Sequence, residues 1–132
     1  MTSSDLLLQL KQSLNKYLDS VEKSTCVFIS TMDGHLLLDR SRANYDVQSI
    51  SPMAGSLLGI SETIANTLMN QRLDDAIIMM NENTLGLLKI QDSEDSLYLG
   101  IISPRQVNLG KLLVNGRETI AEIKELIEGI PK

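Results

Sequence analysis

Three short apolar runs in the second half of the chain constrain its fold more than any other feature of the sequence. They span Ala76 to Met80, Thr84 to Ile90 and Ser96 to Ile102, and the polar turns Asn81 to Asn83 and Asp92 to Asp95 separate them. Runs of this length between turn signals are typical of an antiparallel meander. Because the runs are apolar at nearly every position, the sheet that they form should be covered on both faces.

A helix and a hairpin are expected at the beginning of the chain. Apolar residues recur at helical spacing from Ser4 to about Val21, which predicts an ordinary amphipathic helix. Two strands should follow, Thr25 to Thr31 and Leu36 to Asp39 or Arg40, with Asp33-Gly34 in the turn between them. Glycine readily supplies the positive φ that such a tight turn requires.

Two further helices complete the predicted fold. One begins at Ser51, a suitable N-cap that precedes Pro52, and runs to Gln71. The other spans Leu109 to about Ile130; Asn115-Gly116 could interrupt it, but the apolar phase continues through this pair. The order is then α-β-β-α-β-β-β-α. We expect an α+β fold in which residues 1–132 form one domain with a five-stranded antiparallel sheet between helical layers.

The segment from Ser51 to Gln71 carries a single charged residue, Glu62, although charged residues make up 22% of the chain. Apolar side chains cover about 180° of this helix, against about 100° for a helix that packs on one side only. The stripe expected to contact the core consists of Met53, Leu57, Ile60, Ile64 and Leu68. Such a helix either lies deep inside its own domain or packs on a second protein with its other flank.

We predict a protein interface on this helix and on the strand that follows it. Gly55 and Gly59 each cost the helix about 1 kcal/mol relative to alanine, which is understandable if a partner backbone approaches closely. The run Ile77 to Met80 lacks the Lys or Pro that normally protects a sheet edge, so two copies could pair there as a symmetric homodimer. The predicted interface residues are Ala54, Gly55, Leu58, Gly59, Glu62, Ala65, Asn66, Met69, Ile77 and Met79.

The sequence contains no recognisable set of catalytic or metal-binding residues. His35, the only histidine, directly follows Asp33-Gly34 and is expected to be a solvated turn residue rather than a general base. Cys26, the only cysteine, lies in an apolar run and is expected to be a buried thiol rather than a nucleophile. One histidine and one cysteine do not make a zinc site, and no phosphate-binding loop is present. We therefore expect a protein that is not an enzyme and needs no cofactor.

The net charge and the N-terminal sequence restrict the classes of partner and the cellular location that we expect. The net charge of −5, without a cluster of Lys and Arg, argues against nucleic acid as a partner. The segment from Ser51 to Gln71 is too polar to span a membrane, so no membrane insertion is expected. The N-terminus, Met1 to Asp5, lacks the basic start of a secretory signal. A cytoplasmic location is the resulting expectation.

The element order, the Asp33-Gly34 turn and the helix with small residues occur together in a known protein family. Two further segments match that family: Leu97 to Ile102 is similar to its last strand, and Val107 to Leu113 is similar to the beginning of its final helix. These features, which extend from about Leu14 to Ile127, resemble the Roadblock family. This is the dynein light-chain type, and its bacterial relatives regulate small Ras-like GTPases.

The resemblance implies a Roadblock/profilin-like sandwich and a homodimer joined through the third strand and the middle helix. It also implies that the paired middle helices bind a small Ras-like GTPase and regulate it, by activating or localising it. Two alternatives remain. The chain could be a scaffold that tethers a motor or a larger complex without affecting GTP turnover. It could also be a small-molecule sensor of the PAS or GAF type, with a pocket between sheet and helix.

Overall fold

The described part of the chain contains three helices and five strands in the order that the sequence predicts. The computed structural model describes residues 3–21, 23–90 and 96–128. The elements are α1 (Ser3–Ser20), β1 (Cys26–Thr31), β2 (Leu36–Ser41), α2 (Val47–Met69), β3 (Asp75–Met79), β4 (Asn83–Lys89), β5 (Leu97–Pro104) and α3 (Leu109–Glu128). The acidic turn predicted at 92–95 and the predicted last turn of α3, up to residue 130, lie outside the described residues.

The five strands form one sheet in the order β2-β1-β5-β4-β3. Every neighbouring pair is antiparallel, as the short runs between turns predict. The hairpin of β1 and β2 joins the meander of β3, β4 and β5 through the pairing of β1 with β5. As a result β2 and β3 are the two edges of the sheet, and β3 is the strand that follows α2.

Helices cover both faces of the sheet. Alternation along β1 sends Val27 and Ile29 to one face and Cys26 and Phe28 to the other. The first face packs on α1 and α3 through side chains that include Leu14, Tyr17, Leu99, Ile101, Leu112 and Ile123. The second face packs on α2 through side chains that include Ala54, Leu58, Leu87 and Tyr98. The predicted layered sandwich is confirmed, and Cys26 is a buried thiol whose pKa is raised by burial.

Helix α2 begins one turn earlier than the sequence predicts. Its N-cap is Asp46, whose carboxylate accepts hydrogen bonds from the backbone N–H and the hydroxyl of Ser49. Ser51, the predicted cap, is fully buried instead, and Pro52 lies inside the helix rather than at its first position. The prediction was wrong because Asp46 offers the same capping chemistry, and the buried Val47 fixes the first turn on the core.

The stripe of α2 that was expected to contact the core is exposed. The buried positions are instead Val47, Ser51, Ala54, Gly55 and Leu58, which also recur at helical spacing. Gly55 faces the core without a side chain because the turn between β1 and β2 lies very close to the helix there. A Cβ atom on Gly55 would overlap the carbonyl oxygen of Met32, and one on Gly34, whose φ is +101°, would lie 2.9 Å from Cα of Pro52.

Candidate protein interface on helix α2 and strand β3

Large apolar side chains follow the outer flank of α2 along most of its length. They are Met53, Leu57, Ile60, Ile64 and Leu68, and we call this set the α2 stripe. Met53 is 65% exposed, Ile60 60% and Leu68 74%. Single exposed apolar residues are ordinary, whereas a continuous row of them marks an interaction surface. The α2 stripe is therefore the main candidate site of this chain.

The only charge on α2 is neutralised within the chain. Glu62 accepts a hydrogen bond from Lys89 Nζ on β4 at 2.9 Å. The Lys89 side chain is only 13% exposed, so little solvent screens the pair. Because no other residue of α2 is ionisable, a partner that docks on this helix meets an apolar surface without an unpaired charge.

The structure divides the predicted interface residues into two groups. Ala54, Gly55 and Leu58 are buried in the chain's own core, so their assignment to an interface was wrong. Large and small apolar residues both repeat at helical spacing on this helix, and the prediction chose the wrong stripe for the core. The close turn between β1 and β2 decides the matter at Gly55, because a side chain there would overlap the carbonyl oxygen of Met32.

The remaining predicted residues lie at or near the surface. Gly59 is partly exposed, and a Cβ atom there would meet nothing within 4 Å. Asn66 and Met69 are exposed, while Glu62 and Ala65 are half-buried. On β3, Met79 is exposed, and Ile77 packs partly against the core on the side of α1 and α3. Their role in an interface stays a prediction.

The free edge of β3 presents a regular set of backbone groups. Lys89 N–H donates to the Asp74 carbonyl at 3.0 Å, and Met80 N–H donates to the Asn83 carbonyl at 2.8 Å. Hydrogen-bonded and non-hydrogen-bonded pairs alternate along an antiparallel ladder, so the even-numbered residues of β3 bond to β4. The N–H and C=O groups of Asp75, Ile77 and Met79 therefore point away from the sheet.

The opposite edge of the sheet is irregular. Ile29 pairs with Leu38 and Ser30 pairs with Leu36, which leaves Leu37 as the extra residue of a β-bulge in β2. Asp39 and Arg40 add charged side chains to the same strand. Bulges and charges are common devices that stop an edge strand from pairing with another chain. Strand β3 has no bulge in its register with β4.

A network of buried hydroxyl groups fixes the first half of α2 on the sheet. The hydroxyls of Ser30 and Ser51 lie 2.5 Å apart, and Ser51 also donates to the carbonyl of Gly34 at 3.2 Å. The Tyr98 hydroxyl donates to the Ser51 carbonyl at 2.8 Å, and burial raises the pKa of Tyr98. These hydrogen bonds thus anchor α2 at Ser51 to β1, to β5 and to the β1–β2 turn.

Strand β3 is attached to α3 by an ion pair. Arg117 on α3 binds the carboxylate of Asp75 at the beginning of β3. Burial raises the pKa of Asp75, and the nearby Arg117 only partly opposes that effect. The pair holds the first residue of the edge strand in place without involving the outward-facing backbone.

Other groups that could carry chemistry are few among residues 3–21, 23–90 and 96–128. His35 is a highly exposed turn residue, as the sequence predicts. Its Nδ1 atom lies 3.4 Å from Oδ1 of Asp33. These residues include no group of three or more His, Cys, Asp or Glu side chains that could hold a metal ion.

An open groove of about 380 Å³ lies between α1 and α3, and Lys16 and Glu122 line it. No described helix has the length and hydropathy needed to cross a membrane.

Comparison with known proteins identifies the fold. No protein-family model and no curated protein matches the sequence, whereas solved structures match along nearly the whole chain. A Roadblock/LC7 domain from Streptomyces avermitilis has a TM-score of 0.80 at 8% identity, covering 89% of this chain and 96% of that one. The protein MglB in a tetrameric arrangement has a TM-score of 0.83 at 12% identity, with coverages of 93% and 90%. The gliding protein MglB from Thermus thermophilus has a TM-score of 0.82 at 11% identity, with coverages of 95% and 93%.

The described residues therefore have the Roadblock fold. The resemblance that the sequence suggests is confirmed for the fold, including the α/β/α sandwich and the order of its elements. At identities of 8 to 12% the match concerns the architecture alone.

Proposed function

We propose that this chain is a homodimeric binding module without catalytic activity, and that it binds and regulates a small Ras-like GTPase. The main support is the α2 stripe, an exposed apolar row on a helix whose only charge is already paired with Lys89. From Met53 to Leu68 the stripe extends over about 22 Å at 1.5 Å per residue. That length is sufficient for a partner helix or for the flat surface of a small domain.

The edge of β3 supports self-association. Its outward backbone groups are regular, and exposed or half-buried apolar side chains such as Ile77, Ile78 and Met79 accompany them. An unprotected apolar edge of this kind tends to pair with another strand. The tetrameric arrangement named for one structure of the same fold is consistent with assembly of such chains.

A GTPase as the partner is inferred from the Roadblock resemblance together with the shared fold. A scaffold that tethers a larger complex would use the same surface, so only its effect on GTP turnover separates the two functions. A sensor of the PAS or GAF type is less well supported. The described groove lies between α1 and α3 and is lined mainly by polar side chains, rather than between sheet and helix.

The proposal is tested by affinity capture from the native cells with the tagged chain, in the presence of a GTP or a GDP analogue. Ile60→Glu places a charge in the α2 stripe at a residue that is 60% exposed, and Val114→Glu, at a 59% exposed residue of α3 on the opposite side of the sheet, is the matched control. We expect a Ras-like GTPase to bind the wild type and Val114→Glu in a nucleotide-dependent manner, and Ile60→Glu to lose it.

A GTP turnover assay with the captured GTPase then separates regulator from tether. A changed turnover rate supports regulation, and an unchanged rate with intact binding supports the scaffold. Capture of motor or filament components without a GTPase in either nucleotide state would contradict the proposed partner.

A further inference from the structure

We infer that the ion pair between Glu62 and Lys89 is a latch that positions the second half of α2, residues 59–69, on the sheet. Glu62 and Lys89 are then positioning residues for recognition, because the last three residues of the α2 stripe belong to this half. The inference rests on the proposed use of the α2 stripe in binding. It concerns one copy of the chain and does not depend on self-association.

The first half of α2 is attached to the sheet without this pair. All buried residues of the helix lie between Val47 and Leu58, and Ser51 is hydrogen-bonded to β1 and to the β1–β2 turn. Among the residues that the structure describes, Glu62 is the only one of residues 59–69 whose side chain forms a hydrogen bond or ion pair with the sheet. The direction of the second half therefore depends on this one side-chain pair.

The helix is weakest in the turn that joins its two halves. Glycine is a poor helix former, and a Cβ atom at Gly59 would meet nothing within 4 Å. The Ser61 hydroxyl donates to the Leu57 carbonyl at 2.8 Å, and the Thr63 hydroxyl donates to the carbonyl of that glycine at 3.0 Å. Such bonds from serine or threonine to the carbonyl four residues earlier favour bending of a helix. The helix should therefore bend most easily in the turn that carries Glu62.

Lys89 is held in place on both sides of its backbone. It is the last residue of β4, and its N–H donates to the Asp74 carbonyl at 3.0 Å. Arg117 of α3 donates to the Lys89 carbonyl at 3.4 Å. The Lys89 side chain continues the row of β4 that contains Leu87, which packs toward α2. Because this side chain is only 13% exposed, its bond to Glu62 is weakly screened.

Release of the pair would leave the second half of α2 free to turn away from the sheet. The last three residues of the α2 stripe would then no longer be aligned with Met53 and Leu57, and a rigid partner would contact only part of the stripe. The apparent affinity of a partner falls with the fraction of molecules that have the binding-competent arrangement. The pair thus sets the affinity through the alignment of the stripe.

Amide hydrogen exchange of the free chain tests the latch directly. Lys89→Met removes the ammonium group and keeps an unbranched side chain at this largely buried position. Exchange of residues 59–69 should become about fivefold faster, as expected for the loss of a partly exposed ion pair, whereas residues 47–58 should be unchanged. Lys16→Met is the matched control, because it removes the ion pair with Glu122 on the opposite side of the sheet. It should alter neither half of α2.

Glu62→Gln and the double variant show whether the two side chains act through each other. Glu62→Gln changes a partly exposed helix residue and leaves the sheet untouched, so it controls for a packing defect at Lys89. Each single variant should accelerate exchange to a similar extent, and the double variant should add nothing, since the pair is already broken. Unchanged exchange in Lys89→Met, additive effects, or equal acceleration in both halves of α2 would overturn the latch. All variants are compared at a concentration at which light scattering gives them the same oligomeric state.

Affinity capture with the same variants connects the latch to recognition. The GTPase that the wild type captures should bind Lys89→Met up to about fivefold more weakly and Lys16→Met with unchanged affinity. Faster exchange of residues 59–69 with unchanged affinity would contradict the positioning role and leave the proposed function intact. A wild-type chain that captures no GTPase would contradict the proposed function, whereas the exchange data would still decide whether the latch exists.

Discussion

A Cβ atom added to Gly55 would overlap the carbonyl oxygen of Met32, whereas one added to Gly59 would meet nothing within 4 Å. The two glycines are four residues apart on α2 and look equivalent in the sequence. Gly55 permits the β1–β2 turn to approach the helix, and Gly59 has no such role inside the chain. The expectation of a close partner backbone therefore stays a prediction for Gly59 alone.

Alanine substitutions should separate the two roles. Gly55→Ala should lower the free energy of unfolding by about 1–3 kcal/mol, the usual cost of overpacking a tight site. Gly59→Ala should raise it by up to about 1 kcal/mol through its better helix propensity. Urea unfolding of both variants at one protein concentration provides the measurement. Equal effects of the two substitutions would contradict the different surroundings described for these glycines.

Tyr17 should make the stability of this chain fall in alkaline solution. Its side chain is 1% exposed, and burial raises the pKa of Tyr17 to about 12. The unfolded chain ionises its tyrosine near pH 10, so raising the pH above 10 favours the unfolded state. The loss should reach about 1.4 kcal/mol at pH 11 and about 2.7 kcal/mol above pH 12.

The variant Tyr17→Phe isolates this contribution from the other groups that titrate in the same range. Urea unfolding of wild type and variant between pH 7 and pH 11 gives the difference in their free energies of unfolding. That difference should be constant up to about pH 9 and then move in favour of the variant. A difference that does not change with pH would rule out the buried, un-ionised Tyr17 as its source.

At the scale of the elements, helix and strand positions follow from local patterns, but the core-facing side of α2 does not. Apolar runs between turn signals place the strands to within two residues, as with Leu97–Pro104. On α2, two stripes have the same helical spacing, so periodicity alone cannot choose between them. The choice depends on how closely the β1–β2 turn approaches Gly55, which is a tertiary contact without a signal in the local pattern. The five-strand order is likewise set by the non-local pairing of β1 with β5.

Charge substitutions on the two stripes of α2 should have different consequences. Leu58→Glu buries an unpaired carboxylate at a residue with no exposed surface, so it should cost several kcal/mol and unfold most of the chain. Ile64→Glu, at a residue that is half exposed, should change the free energy of unfolding by no more than about 0.5 kcal/mol. It should nevertheless abolish partner capture, as a charge enters an apolar contact.

Circular dichroism and affinity capture on the same preparations check this pair of variants. The proposed use of the α2 stripe would be contradicted by an Ile64→Glu chain that folds and still captures the wild-type partner. A folded Leu58→Glu chain would contradict the core position of that leucine.

At the scale of the whole molecule, the two sheet edges differ, and only β3 is suited to pairing. Along β3, N–H groups that point outward alternate with N–H groups that bond to β4. A proline, which has no N–H, therefore removes a donor from only one of the two sides. Ile77→Pro removes an outward N–H and costs no bond to β4, whereas Ile78→Pro breaks the ladder with Leu85. The first substitution should prevent dimerisation and keep the ladder with β4, at the cost of the partial packing of Ile77 on the core. The second should destabilise the monomer more strongly, because it also breaks that ladder.

Thermal unfolding at several concentrations measures the contribution of pairing to stability. The melting temperature of the wild type should rise with protein concentration, because dissociation accompanies unfolding. The melting temperature of Ile77→Pro should not depend on concentration, and it should lie below that of dilute wild type because the Ile77 side chain also packs partly against the core. Concentration-independent melting of the wild type would argue against a dimer in the range studied.

The buried residues of α2 all lie between Val47 and Leu58, and its last eleven residues, 59–69, have none. The free energy that resists local opening should therefore fall along the helix from its capped beginning to Asn70. Part of the surface proposed for recognition thus belongs to the least protected turns of α2. A partner that covers Ile64 and Leu68 would supply the contacts that those turns lack, so recognition would also strengthen the half of the helix that performs it.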